Sequence, residues 1–253
     1  MNSIKIKIIN QLKDNYSFIL YNDNKDASII DPAESLPIIE YVNYNDLKIR
    51  DIFITHHHKD HTSGIEGIKK QFPEINIHSP SSHIKNTRFV LRNNDEIETQ
   101  INSFKIISTP GHTLDHIIYL DNKNKILFCG DTLFRLGCGR IFEGTFDQMF
   151  SSLQKINNLD ENLNIYCGHE YTINNLDFIE NILNKKNLFT NVRQKVESDL
   201  KQNGKSIPFS LSDEKSYNLF LNQESNIGQL IKEELGLKNF DLFKYLREKK
   251  DNF

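Results

Sequence analysis

The chain has 253 residues, with 31 Lys and Arg against 34 Asp and Glu, a net charge of -3 and a hydrophobic fraction of 38%. That length allows one large domain or two modest ones, each able to bury a core, and the slightly acidic balance argues against a general nucleic-acid binder. No stretch approaches the ~20 uninterrupted apolar residues of a membrane span, and Met1-Asn2-Ser3-Ile4-Lys5-Ile6-Lys7 has neither a long apolar core nor a cleavage-like site, so a soluble protein without membrane contact is expected; the sequence does not reveal oligomeric state, and a monomer is the default expectation.

The first elements read as short strands. A strand over 27–30 ends at Asp31, which is either an outer partner for a histidine or a turn residue before Pro32; a helix is expected over 32–42. Residues 51–54 form a buried strand that runs into Thr55-His56-His57-His58-Lys59-Asp60-His61, four imidazoles and a carboxylate within six positions. In extended backbone, side chains two apart share a side, so His56 and His58 can converge while His57 faces away. An amphipathic stretch over 65–72 places Asp60 and His61 at a loop-to-helix junction, re-aimed toward a second ion. One such run cannot complete two shells of about four ligands each. Three later apolar runs end in further candidates beside a glycine: Pro110-Gly111-His112, Gly130-Asp131 and Gly168-His169.

The remaining histidines carry less. His116 reads as structural, and His78 and His83, in a Ser- and Pro-rich loop, as surface residues. A helix is expected over 146–157. After Thr172 strand signals fade, and 176–183, 191–202, 213–221 and 239–249 have helical spacing, with Asn203-Gly204 and Pro208 marking a loop. Cys129, Cys138 and Cys167 are an odd number without metal-finger spacing, which fits a reducing cytoplasm. Near the end, Lys244, Arg247, Lys249 and Lys250 surround Glu248; a solvated helix face and an anion-binding patch are both open readings.

His56-x-His58-x-Asp60-His61 with Gly111-His112, Gly130-Asp131 and Gly168-His169 resembles the metallo-β-lactamase superfamily. Asp14-Asn15-Tyr16, Ile30-Asp31-Pro32, Pro110-Gly111-His112-Thr113, Gly130-Asp131-Thr132-Leu133-Phe134, Gly137-Cys138-Gly139-Arg140, Cys167-Gly168-His169-Glu170-Tyr171-Thr172 and the final Arg247-to-Phe253 segment together resemble one branch of it, glyoxalase II or hydroxyacylglutathione hydrolase. The resemblance spans essentially the whole chain. It implies an α+β fold, an αββα metallo-β-lactamase-like sandwich over 1–170 followed by a small all-α substrate-binding domain over 171–253.

The resemblance further implies two divalent ions, zinc first, with iron or manganese also suited to these ligands. His56, His58 and His112 would hold one ion, Asp60, His61 and His169 the other, and Asp131 would bridge them. A metal-bound hydroxide would attack S-D-lactoylglutathione, the second step of methylglyoxal detoxification, with Asp60 and Asp131 as the catalytic carboxylates. Arg140, Tyr171, Arg247 and Lys250 would hold the glutathione moiety; Arg suits a carboxylate because its planar fork meets both oxygens. Where some members of the branch have Tyr, this chain has Phe142, and Leu219 and Asn222 depart from the usual Pro and Arg after Tyr217-Asn218. The alternatives are a persulfide dioxygenase or another hydrolase of the superfamily, and a non-catalytic metal-binding scaffold.

Overall fold

The structure is a computed structural model that describes residues 4–253; the first three residues of the amino-terminal segment considered above lie outside the described residues. The chain divides into two compact units, residues 1–108 with 115–130, and residues 109–114 with 131–253.

In the first unit, β1 (Lys5–Gln11), β2 (Asn15–Tyr21) and β3 (Asp26–Ile30) form an antiparallel run, and α1 (Leu36–Tyr44) crosses over to β4 (Lys48–Phe53) in parallel with β3. A single turn, α2 (Lys59–Thr62), and α3 (Ile65–Gln71) lead to β5 (Asn76–Ser79) and β6 (Phe89–Val90), which extend the sheet in parallel in the order β1 to β6. A second set, β7 (Glu96–Glu98), β8 (Ser103–Ser108), β9 (Ile117–Asp121) and β10 (Ile126–Gly130), is an antiparallel meander.

Alternation along the strands makes the sandwich. On β2, Phe18 turns to the second set and meets Phe128 at 5.1 Å, while its neighbour Ile19 joins Ile38, Val42, Ile65 and Ile68 under α1 and α3. Phe53 contacts Phe104 and Tyr119 at 5.2 and 5.4 Å, and the Tyr119 hydroxyl donates to the Ile54 carbonyl at 2.6 Å. Each such buried aromatic is worth roughly 1.5–3 kcal/mol. The Tyr119 bond satisfies the phenol and holds the strand end that leads into the histidine run.

The helix α1 begins later than expected. Gln11 captures the Ala33 and Glu34 amides through its Oε1, at 2.8 and 3.1 Å, and Pro37 occupies the first helical turn, so residues 32–35 stay outside. His78 corrects another expectation. It lies on β5, not in a surface loop; it is buried, stacked between Phe53 and Phe89 at 4.7 and 4.8 Å, with Nε2 2.8 Å from the Asp51 carboxylate.

In the second unit come a small hairpin, β11 (Leu133–Phe134) with β12 (Gly137–Cys138), then α4 (Phe146–Asn157), β13 (Asn164–Cys167), α5 (Thr172–Leu183), a 3-10 turn Lys186–Phe189 and α6 (Thr190–Asn203). They are followed by β14 (Phe209–Ser210), which pairs with β13, and by α7 (Leu211–Tyr217), α8 (Asn226–Leu235) and α9 (Asn239–Asp251). The helix α4 has the bounds its pattern predicts, closed by a capping box in which Thr145 and Gln148 exchange side-chain-to-amide bonds. The helix α8 was not expected, although the Ser225 side chain caps its first turn and Gly236, at φ +66°, ends it. Among the described residues no helix is long and apolar enough to cross a membrane.

Candidate metal centre

Within the first unit the histidine run leaves β4 through Thr55. The buried carboxylate of Asp31, at the end of the adjacent strand, accepts from the Thr55 amide at 2.8 Å, from the Thr55 hydroxyl at 2.7 Å and from His61 Nδ1 at 3.0 Å. Both readings open for Asp31 hold: its φ of +48° is that of a turn residue, and it partners a histidine. Because the Nδ1 proton is committed there, Nε2 of His61 is the nitrogen left to coordinate.

His58 stays extended before α2 and the next turn is helical, so Asp60 and His61 are swung round rather than alternating. His56 Nε2 and His58 Nδ1 stand 3.1 Å apart, and the His56 and His61 rings lie 4.2 Å apart. His57 points elsewhere, half-exposed, with Nδ1 3.0 Å from Asp115. His116 stacks on His56 at 4.8 Å, a packing role as read. Asn15 donates to the Asp60 carboxylate at 3.0 Å and to its carbonyl at 3.2 Å, orienting a side chain that is otherwise half in solvent.

Within the second unit, His112, Asp131 and His169 converge. Asp131 Oδ2 lies 3.4 Å from His112 Nε2 and 3.3 Å from His169 Nε2, and all three side chains are buried. His112 is aimed from both sides. Its Nδ1 donates to the Arg140 carbonyl at 2.8 Å, and its loop is pressed on α4, where Ser152 donates to the Pro110 carbonyl at 2.8 Å. Gly111 adopts φ +154° there, and a side chain on it would fall 2.8 Å from the Met149 backbone. His169 is steadied by the buried Cys167 thiol, which donates to its carbonyl at 3.3 Å, and by Tyr171, whose ring lies flat on the imidazole at 4.8 Å.

These donor sets fit a divalent ion. Two ligands at ~2.0–2.1 Å from a tetrahedral ion stand about 3.3 Å apart, which is the spacing of Asp131 from its two histidines and close to that of His56 from His58. Imidazole nitrogen and carboxylate oxygen are the ligands such an ion takes, and the outer nitrogens of His61 and His112 are already occupied by an acceptor.

The residues expected to meet glutathione all lie in the second unit, but their partners were not foreseen. Arg247 is buried. Its Nη1 donates to the Cys138 carbonyl at 2.9 Å, and Nε and Nη2 donate to Asp251 Oδ1 at 3.2 and 2.9 Å. Arg140, half-exposed, donates to the same oxygen at 3.1 Å. Lys250 lies 5.0 Å from the rings of both Phe178 and Phe253 and donates to the Asn174 carbonyl at 3.0 Å. Burial, helped by the charge of Arg247, lowers its pKa to about 8. Tyr171 contacts Phe134 edge-on at 5.1 Å. Phe142 is exposed and packs edge-on against His112 at 5.2 Å. Burial raises the Cys138 thiol despite the neighbouring Arg247 charge, so it is a packed wall rather than a nucleophile. Asp251 was legible, standing four residues after Arg247 on one helix face; nothing local in the sequence marks Asn15 as the partner of Asp60.

Compared with known proteins, residues 13–169 match the family described as the metallo-beta-lactamase superfamily, and residues 170–253 match the hydroxyacylglutathione hydrolase C-terminus. The chain is 38% identical over 256 residues to a protein of Klebsiella pneumoniae subsp. pneumoniae named hydroxyacylglutathione hydrolase, covering 100% of both. It is 37% identical over 246 residues to one of the same name from Erwinia tasmaniensis, covering 96% of this chain and 97% of that one. Among solved structures, ETHE1 from Myxococcus xanthus shares the fold with a TM-score of 0.67 at 21% identity, over 98% of this chain and 100% of that one.

Proposed function

Because the chain belongs to the metallo-β-lactamase superfamily and, within it, to the hydroxyacylglutathione hydrolases or glyoxalase II, we propose that it hydrolyses S-(2-hydroxyacyl)glutathione, chiefly S-D-lactoylglutathione, to glutathione and D-lactate, the second step of methylglyoxal detoxification. One observation carries this reading. Both histidines that flank Asp131 are joined to residues suited to meet the substrate, His112 through its bond to the Arg140 carbonyl and His169 through its stack on Tyr171.

In this reading His56, His58 and His112 would hold one ion and Asp60, His61 and His169 the other, with Asp131 available to both. Zinc is the first choice, with iron and manganese suited to the same ligands. When bound, divalent ions there lower the pKa of water toward ~7 and polarise the thioester carbonyl. The protein's own groups do the rest. Asp60, held by Asn15, accepts a hydrogen bond from the attacking water. The leaving group is a thiolate, which needs no dedicated general acid to depart. Arg140, Arg247 and Lys250 meet the glutathione carboxylates, and the Tyr171 hydroxyl adds a hydrogen bond. Residues 171–253 serve as the substrate-binding domain, and three buried cysteines without a disulfide among them suit a reducing cytoplasm.

The test is metal analysis followed by a thioester assay that reads free thiol. Two ions per chain, turnover of S-D-lactoylglutathione, and its loss on chelation or in Asp131→Ala and His169→Ala are the expected results. One iron per chain with oxygen uptake on glutathione persulfide would replace the hydrolase with the dioxygenase, a reading that the carboxy-terminal match to hydroxyacylglutathione hydrolases does not favour.

A further inference from the structure

Between Asp131 and Arg140 the chain turns through the hairpin β11–β12, with Leu136 at φ +60°. Side chains from three later helices hold its backbone. The Leu136 amide donates to Glu214 Oε2 at 2.8 Å. Asn218, at the end of α7, shares its amide protons between the carbonyls of Phe134 and Gly137, at 3.3 and 3.0 Å, and Glu214 Oε2 at 2.8 Å. Asn175 on α5 donates to the Arg135 carbonyl at 3.0 Å, and Arg247 on α9 to that of Cys138 at 2.9 Å. Glu214 and Asn218 are both buried, so neither bond is exchanged for water without cost.

What hangs on the hairpin is the substrate side of the site. Phe134 packs edge-on against His169 and Tyr171, at 5.9 and 5.1 Å, and Cys138 anchors Arg247. We infer that Glu214 and Asn218 form a latch that fixes this hairpin and thereby positions Tyr171 and Arg247 for the glutathione half of the substrate. They are positioning residues, acting through the groups they hold. The inference deepens the thioester reading and rests on it only for the identity of the bound molecule.

The latch has a pH sense. Glu214 accepts two hydrogen bonds on one oxygen, which its carboxylate form does best, and burial raises its pKa to about 7 against the opposing bonds from Leu136 and Asn218. The charged groups facing it are Arg135 from the hairpin turn, itself paired to Asp199 of α6, and Asp213 on its own helix. A cavity of about 130 Å³, also lined by Lys195 and Tyr217, lets water and protons reach it. The latch is therefore tightest above pH 7 and slackens as Glu214 protonates below it.

The experiment uses the full-length, metal-loaded protein with Asn218→Ala and Glu214→Gln. In Asn218→Ala, amide exchange over residues 133–138 rises about tenfold or more. KM for S-D-lactoylglutathione rises about tenfold, while kcat and the metal content hold within about threefold. Glu214→Gln keeps an acceptor of the same shape, so it retains protection of the hairpin but loses the fall in KM between pH 6 and 7.5. Should Asn218→Ala not fold, that pH profile decides alone. Unchanged hairpin exchange in Asn218→Ala, an unaltered KM profile in Glu214→Gln, or kcat falling while KM holds overturns the latch. A wild-type protein inert toward the thioester would sink the substrate reading instead, and hairpin exchange would then judge the latch by itself.

Discussion

Asp31 and His61 form a buried pair, with His61 Nδ1 donating to Asp31 Oδ2 at 3.0 Å and side-chain exposures of 1% and 2%. Their bond sets the tautomer of the His61 imidazole and leaves its Nε2 as the nitrogen that a metal would take. Asp31→Asn keeps an acceptor but loses its charge, and an outer partner of this kind is worth about 10–100-fold in metal affinity. Competition against a chromogenic chelator reads that loss. Unchanged affinity would mean that Asp31 merely secures Thr55.

His57 and His58 are adjacent and chemically alike, yet the structure separates them. His57→Ala should leave the metal content and thioester turnover at wild-type levels, because its imidazole is half-exposed and faces Asp115. His58→Ala should lose at least one ion per chain. Metal analysis of the pair checks the alternation argument directly, and an ion lost with His57 would contradict it.

The shared oxygen of Asp251 bonds to both Arg140 and Arg247 and offsets part of their positive charge. Asp251→Asn removes that offset, so KM should fall about threefold at low ionic strength, an effect that fades as salt screens exposed charge. Arg140→Ala should act oppositely and raise KM by about tenfold, the size of one charge-assisted hydrogen bond. If Asp251→Asn raised KM as well, its role would be to hold the arginines in place.

With Lys250 in its proposed role, substrate binding should have an alkaline limit. A cation whose pKa lies at about 8 is charged below that pH and neutral above it, so affinity for a carboxylate falls as pH rises through 8. KM should climb between about pH 7.5 and 9 with the wild-type protein and stay level with Lys250→Arg, since a guanidinium remains protonated there. An identical climb in Lys250→Arg would point to another titrating group.

Much of the site was legible because metal chemistry demands residue types, and those types stand at strand ends in the sequence. Helix α4 was legible to the residue, since periodicity and its cap agree. His78 was not. Its strand has only four residues, Asn76–Ser79, stops at Pro80 and is too short to show alternation, and the burial of His78 comes from parallel pairing with β4 and β6. The two-residue strands of the hairpin are shorter still, and nothing local marks Glu214 or Asn218 as their partners 78 and 84 residues on. Helix α7 ends at Tyr217, earlier than its spacing suggests, because the Asn218 side chain accepts from the Phe220 amide and spends its donors on the hairpin. The helix α8 is a different case: Ser225 and Gly236 bracket it in the sequence, and those caps were there to be read.

Gly139 lies close against the backbone of Asp131. A methyl group there would sit 1.9 Å from the Asp131 carbonyl oxygen and 3.2 Å from His112 Nδ1. Three residues on, Phe142 lies open to solvent with its ring edge against the same histidine. For laboratory evolution of acyl or thiol preference, the two positions are opposites. Diversity at 139 should yield inactive clones, whereas a library at 142 should explore the rim of the candidate site while leaving the backbone around Asp131 in place.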